Sequence, residues 1–493
     1  KKLDSYLNSV TMYRLILNVL LGMAAYSIVL SIWGKLSFKP LELLVSLVVL
    51  VFVCLASNQI LGKLFKATTN AESSLITSVI LFLIMEPSVK FEDIKVLILV
   101  GVMAMASKYL LAIKKKHLFN PAGASLVLLS LLGIGNGIWW IATPALLPVA
   151  FLGLLVVRKI RKANLFFSFL VFALGTILIN AFLKGQDLRD ILPAVFMSWP
   201  LIFFGTIMLT EPLTSPVQKK QQVLFGALVG VLFGSRFQLG AFYSSPELSL
   251  IIGNLFAFLV SSNDRQKIKL KEIKQLTSTI YEFVFWPMKV AIYKSGQYAE
   301  LTLGHKNPDS RGNRRYFTIA SSPLSKELKF GVRIKSESSS SFKKALLNLK
   351  TGEELAVTQI GGDFVLPNSN EEKLVFWAGG VGITPFVSMI REMLDLGEKR
   401  DVVLIYVLKS KEDYAYQELF ELARTKLGMR VFSWLSEEKG DIEQKDLQEM
   451  IPDFKERTFY LSGPNLMVER YKETLLNLGV WRGKIKTDYF PGY

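Results

Sequence analysis

The chain has 493 residues, of which 51% are hydrophobic, with a formal net charge of +17 and a mean hydropathy of +0.35. It is too long for one domain and too apolar for a wholly water-soluble protein. A single cysteine, Cys54, excludes an intrachain disulfide framework or a four-thiolate iron–sulfur cluster, and two histidines, His117 and His305, are too few for a pair of bis-histidine haems.

Residues 1–261 carry long uncharged runs, whereas the sequence alternates polar and apolar from Ser262 onward, so one boundary falls near 262. Apolar runs at about 12–33, 40–56, 72–85, 94–113, 122–135, 142–157, 164–183, 191–209, 221–235 and 247–261 predict ten membrane spans. Lys63 and Lys66, Lys114 to Lys116, Arg158 to Lys162, Lys219 and Lys220, and Arg265 with Lys267 fall in alternate loops. Basic loops mark the cytoplasmic side and also account for the positive charge without nucleic acid. An even number of spans leaves the C-terminal half in the cytoplasm.

The apolar half repeats itself at a spacing of 125 residues, from Glu86-Pro87 to Glu211-Pro212 and from Pro121 to Pro246. Five spans fit within that offset, so the halves are expected to be inverted, with binding sites where Gly and Pro interrupt helices. Ser198-Trp199-Pro200 and the loop Thr210 to Pro216 are such interruptions. Glu211 stands out because a carboxylate near hydrocarbon is costly and usually functional.

His117-Leu118-Phe119-Asn120-Pro121-Ala122 and Met208-Leu209-Thr210-Glu211-Pro212-Leu213-Thr214-Ser215-Pro216 resemble the RnfD/NqrB family, the membrane flavoproteins of Rnf complexes and of sodium-pumping NADH:quinone reductases. The resemblance implies flavin held between inverted helix repeats, near Asn120, Thr210, Glu211 and Thr214, and, in family order, an FMN joined through phosphate to Thr143. Only Ala142-Thr143 survives of the family's attachment signal, so the expectation is a non-covalent FMN or riboflavin, with Trp139 and Trp140 either stacked on it or forming an interfacial belt.

In the polar half, 262–276 reads as a basic connector and 277–303 alternates as antiparallel strands. Arg315-Tyr316-Phe317-Thr318 then matches the R-x-[YF]-[ST] signature of ferredoxin-NADP reductase-like flavoproteins. Arginine suits a diphosphate, the threonine hydroxyl a flavin or phosphate, and Phe317 the ring. Ser340 and Ser341 open a predicted helix whose first-turn N–H groups face an anion. Leu374 to Ala378 reads as a buried strand running into Gly379-Gly380-Val381-Gly382-Ile383-Thr384-Pro385, a glycine turn for a pyrophosphate. Ser462-Gly463-Pro464-Asn465-Leu466-Met467 resembles the family's C-G-P-x-x-M turn beside nicotinamide, with Ser462 in place of cysteine, and Phe490 or Tyr493 is expected to shield a flavin face.

The expected fold is a polytopic α-helical membrane domain with an inverted repeat (1–261), a linker (262–276), an antiparallel β-barrel FAD domain (277–369) and an α/β NAD(P)-binding domain (370–493). The expected function is hydride transfer from cytosolic NAD(P)H to FAD, then electron transfer through a membrane flavin to an outer-side or membrane acceptor in the bacterial cytoplasmic membrane. Alternatives are an NAD(P)H:quinone reductase or a reductase-coupled ion carrier. No metal site is expected, and Lys409, Lys411 and Arg424 do not separate NADPH from NADH.

Overall fold

A computed structural model describes residues 10–67, 69–113, 116–235, 238–239, 242–260, 266–306, 308–309, 313–335 and 339–490. The chain divides into two compact units, Lys1–Asn263 and Asp264–Tyr493.

The first unit is helical: α1 (Met12–Ile32), α2 (Pro40–Leu64), α3 (Ala71–Ile84), α4 (Phe91–Leu110), α5 (Pro121–Leu131), α6 (Leu147–Ala150), α7 (Gly153–Ile160), α8 (Ala163–Leu183), α9 (Leu188–Ser198), α10 (Leu201–Phe203), α11 (Lys219–Gly234) and α12 (Pro246–Val260). Helix occupies each of the ten predicted runs, but the 142–157 run is broken into short turns, because Pro144 and Pro148 remove backbone donors. Among the described residues, α1, α2 and α8 are long and apolar enough to cross a membrane, and α9 with Leu201–Met208 forms a further pair bent by 57°. The bend sits at Trp199-Pro200 and passes into a π-helical turn, Phe204–Met208.

Packing in this unit repeats as the sequence does. Helix α4 lies against α2 and α5, as α11 lies against α8 and α12. A two-residue hairpin precedes each closing helix: β1 (Ala112–Ile113) with β2 (Lys116–His117) before α5, and β3 (Gln238–Leu239) with β4 (Phe242–Tyr243) before α12. Helices α5 and α12 meet, as do α1 and α7, joining the halves. The α8–α11 contact is close because a Cβ on Gly226, Gly230 or Gly234 would meet backbone oxygens of Leu165, Phe169 and Ala173 at 2.5, 2.7 and 2.8 Å.

The second unit holds two sheets. The antiparallel barrel runs β8 (Arg314–Thr318), β7 (Tyr298–Thr302), β10 (Glu354–Gly361), β5 (Gln266–Gln275), β6 (Ile280–Pro287), β9 (Leu328–Arg333) in spatial order, with α13 (Ser341–Leu347) following β9. Residues 266–275, read from the sequence as connector, are thus a barrel strand. Ile268 and Leu270 point inward while Lys267, Lys269 and Lys271 alternate outward, and the lysines give a polar look to what is strand periodicity. The parallel sheet runs β13 (Arg430–Leu435), β12 (Val402–Leu408), β11 (Leu374–Gly379), β14 (Thr458–Pro464), β15 (Ile485–Phe490). All six residues of β11 are buried, as a central parallel strand covered on both faces requires. Helix α14 (Thr384–Leu396) leaves β11, α15 (Gln417–Leu427) precedes β13, α16 (Ser436–Lys439) and α17 (Gln444–Met450) lie before β14, and α18 (Asn465–Asn477) follows it.

Candidate functional site

Strand order reverses at β11, whose chain successor β12 lies on one side and β14 on the other. Ligands of open parallel sheets bind outside the carboxyl ends of strands at such a switch point. Here that point is lined by Gly379 and Gly463. A Cβ on Gly382 would sit 2.4 Å from the Ser462 oxygen and 2.5 Å from Gly463 Cα, so only glycine lets the turn after β11 pass the end of β14. A Cβ on Gly379 would meet Met467 Sδ at 2.4 Å. The predicted Gly379 and Gly382 are therefore brought against Gly463, Pro464 and Met467, while Gly380 lies against Arg333. Thr384 and Pro385 open α14, with Thr384 Oγ1 donating to the Val381 oxygen at 3.1 Å. Ser462 is fully buried, and its hydroxyl has no hydrogen-bond partner among the described residues. In register Phe490 lies opposite Pro464 at the end of β15, while Tyr493 lies outside the described residues.

On the barrel side, β8 presents the arginine signature. Arg315 Nη2 bonds Asp309 Oδ1 at 2.8 Å, and the other Asp309 oxygen accepts from the Ser341 N–H at 3.2 Å. A carboxylate thus bridges the guanidinium and the start of α13. Ser340 caps the helix by accepting from Lys343 N, and Ser341 Oγ is held by Asp309 N and His305 Nε2, at 2.9 and 3.0 Å. Thr318 is 3% exposed and its Oγ1 has no partner among the described residues, as expected of a hydroxyl kept for a ligand.

Phe317, expected beside a flavin ring, is partly buried and packs 5.9 Å from Phe342 against the barrel core. Strand alternation turns Tyr316 the other way, 47% exposed with its ring 5.5 Å from Tyr298, so Tyr316 is the aromatic facing outward.

The two halves of this cleft are tied by residues that sequence motifs do not mark. Arg391 on α14 bonds Glu282 on β6 at 2.9 Å and the Ala320 oxygen at 2.9 Å, just beyond β8. Ser388 Oγ donates to the Ser321 oxygen at 2.6 Å, and Tyr293 Oη donates to the Ser322 oxygen at 2.7 Å. Burial pushes the Tyr293 phenol up to about 12, which keeps it a donor. The helix launched from the glycine turn is therefore locked to the strand that carries Arg315 and Thr318. Arg333 at the end of β9 lies against the same turn: its Nη1 is 3.3 Å from where a Gly380 Cβ would sit, and Nη2 bonds Asp413 at 3.2 Å. Sequence reading passed over Arg333 because no motif surrounds it.

In the first unit, the predicted Asn120, Glu211 and Thr214 do come together. Glu211 accepts from Asn120 Nδ2 at 2.9 Å and Thr214 Oγ1 at 3.0 Å, and pairs with His117 Nε2 at 3.1 Å. Asn254, unmarked by any motif, accepts from Asn120 N at 2.9 Å and donates to the Thr214 oxygen at 3.1 Å, binding α5 to α12. Thr210 and Thr143 spend their hydroxyls on the Thr206 and Trp140 oxygens, at 2.7 and 2.6 Å. Trp139 and Trp140 are core residues, not a belt: Trp140 donates to the Phe82 oxygen at 2.7 Å and Trp139 to Glu247 at 3.2 Å. Among the described residues, then, Asn120, Thr214 and Glu211 bond one another, and Thr143 and Thr210 bond backbone oxygens of their own helices.

Residues 376–473 match the family described as the oxidoreductase NAD-binding domain. A flavohemoprotein of Oceanobacillus iheyensis is 26% identical over 239 residues, 45% of this chain and 57% of that protein. A flavohemoprotein of Candida albicans is 32% identical over 161 residues, 30% and 38% of the two chains. A glycine betaine monooxygenase reductase subunit of Pseudomonas aeruginosa is 28% identical over 231 residues, 44% and 62%. The chain thus spans between 38 and 62% of the length of these curated relatives. Among solved structures, the FAD/NAD-binding domain of nitric oxide dioxygenase from Vibrio cholerae aligns at 20% identity and a TM-score of 0.41, covering 46% of this chain and 98% of that one. The second unit thus contains an oxidoreductase NAD-binding domain at residues 376–473 and is similar to flavohemoproteins and to a monooxygenase reductase subunit.

Proposed function

We propose that the chain is a membrane-bound NAD(P)H-dependent flavin oxidoreductase, multi-pass in a bacterial cytoplasmic membrane, that delivers electrons to an acceptor in or across the bilayer. The observation that carries the reading is the cleft of the second unit. There, an arginine and an orphaned threonine hydroxyl on one sheet face a glycine crossing on the other, with α14 fixed between them.

FAD, when bound, supplies hydride acceptance and release of electrons one at a time. Arg315 and the Ser341 N–H would hold its diphosphate and Thr318 a polar edge. Gly379, Gly382 and Gly463 leave room for the nicotinamide nucleotide, and Arg391 fixes the spacing between the two sides. The apolar helices α1, α2 and α8 and the repeated packing of the first unit support a membrane setting. A further flavin, FMN or riboflavin, is the acceptor the resemblance implies.

A reductase-coupled ion carrier is the second reading. Glu211 and Glu247 are carboxylates drawn into the helical unit, and Glu247 is 3% exposed.

Flavin stoichiometry on detergent-purified protein, before and after acid precipitation, tests the proposal. One FAD and further flavin would support electron passage into the membrane unit, and a flavin mass on the Thr143 peptide would show covalent attachment. One released FAD alone would leave an anchored or carrier-linked reductase. Protein that binds no FAD would refute the reading.

A further inference from the structure

The loop between β6 and β7 is the least expected surface of the reductase unit. Trp286, Met288, Val290 and Ile292 are 53, 62, 87 and 91% exposed, and the last two are the most exposed large apolar side chains among the described residues. Surface patches of this kind mark an interaction site. The loop does not trail from the fold. At its far end Tyr293 is buried and hydrogen-bonded to Ser322, and Ser295 donates to Glu392, so a fixed base presents an apolar tip.

The rim of the patch is basic. Lys269 lies opposite Trp286 in the β5–β6 ladder, Lys271 Nζ is 5.5 Å from the Trp286 ring, and Met288 N donates to the Lys267 oxygen at 3.2 Å. Lys289 and Lys294 are exposed on the loop itself. Two carboxylates oppose these lysines: Glu354 takes Lys267 at 2.6 Å and Lys269 at 3.7 Å, and Glu327 takes Lys271 at 2.5 Å. Glu272 also acts on Lys271, and five lysines against three carboxylates leave the rim positive.

We propose that this loop inserts into the headgroup region of an anionic lipid bilayer, its tip among the acyl-chain ends and its lysines on lipid phosphates. The inference rests on the membrane setting given under Proposed function. A tryptophan with aliphatic neighbours and a lysine collar is the composition of an interfacial anchor. Chain length places the bilayer within reach: six peptide steps separate Val260, the last residue of α12, from Gln266, the first of β5. They span at most ~20 Å, and β5 is the strand that pairs with the root of the loop. Docking there would hold the flavin strand, which Tyr293 joins to the loop, in one orientation to the membrane.

Cys54 is the sole cysteine and is buried, so Val290→Cys gives a single labelling point on the full chain, with Lys426→Cys as a distant control. Each is given a polarity-sensitive fluorophore and reconstituted in vesicles of neutral or mixed neutral and anionic phospholipid, with and without nitroxide-bearing lipid. The expected result is blue-shifted emission at 290, quenched by the lipid nitroxide, with the control unchanged. Neutralising Lys267 or Lys269 to Gln lowers the docked-to-undocked ratio about fivefold for each lysine, and added salt lowers it further. Water-like emission at 290 in anionic vesicles overturns the proposal. So does blue-shifted emission without lipid quenching, which means that protein covers the loop, whether a second copy or another surface of the chain. Alkaline carbonate washing separates the failures. A chain retained in the vesicles with a water-like label loses the docking but keeps the membrane reading, whereas a chain washed off loses both.

Discussion

Replacing Arg391 tests whether the cleft is assembled as described. Glu282 is 4% exposed and Arg391 20% at the side chain, with the carboxylate and guanidinium 2.9 Å apart. Arg391→Met leaves the Glu282 carboxylate buried without its counter-ion and strips the Ala320 oxygen of a donor. Removing one partner of a buried pair costs about 3–5 kcal/mol, and in a unit of this size each kcal/mol lowers Tm by about 2–4 °C. Arg391→Met is therefore expected to lower the unfolding midpoint of the second unit by ~10 °C, read from flavin fluorescence on heating. Glu282→Leu alone strands the guanidinium and costs a similar amount. The double variant removes both charges and should recover most of the loss, with a coupling of ~2 kcal/mol or more in a double-mutant cycle. At temperatures where the single variants stay folded, FAD should remain bound while reduction by NAD(P)H slows, because the nucleotide turn is no longer held to the flavin strand. Additive losses, or a single variant as stable as the parent, would refute the argument that this pair locks the cleft.

Gly382→Ala places a methyl on the Gly463 backbone, which cannot rotate away. NAD(P)H-driven flavin reduction in stopped flow is expected to fall ~100-fold with FAD retained, since small misplacements of reacting groups cost that much. Asp309→Asn removes the carboxylate that competes for Arg315 and should tighten FAD binding to stripped protein about fivefold, worth ~1 kcal/mol. Weaker binding in that titration would mean that Asp309 supports the site instead. Arg457, buried between Asp401 and Asp453, holds the Asp453 carboxyl down at about 2 through its hydrogen bonds. A depressed folded pKa adds stability above the unfolded value of about 4, so this contribution is present at neutral pH and is lost as pH falls from about 4 to about 2. An acid titration of stability should show that window in the parent and lack it in Arg457→Leu.

What the sequence made legible was whatever glycine, proline or a charged signature forces. The turn Gly379 to Pro385 and the Ser462-Gly463-Pro464 turn were readable because their backbone crossing admits no side chain. Arg315 was readable because a diphosphate asks for a guanidinium. Phe317 and Tyr316 were harder: both are aromatic, and only the pairing of β8 with β7 decides which faces the barrel core. The strand 266–275 was hidden by lysines on its outer face. Arg391, Glu282 and Ser388 were invisible because their partners lie 109, 109 and 67 residues away, and no local pattern records a bond of that range.

The two units also place their polar groups differently. In the second unit, Thr318 and Ser462 have buried hydroxyls without a partner among the described residues, one on the arginine strand and one at the glycine crossing, although Trp377 Nε1 and Tyr406 Oη are orphaned as well. In the first unit, the residues that looked most like a site close upon themselves. Glu211 is held by His117, Asn120 and Thr214, and Asn254 fastens that group across the junction of the repeats. A carboxylate with three side-chain partners crosslinks the two halves of the repeat. Glu247 is buried as well, and Trp139 Nε1 donates to it at 3.2 Å, tying the segment before α6 to α12.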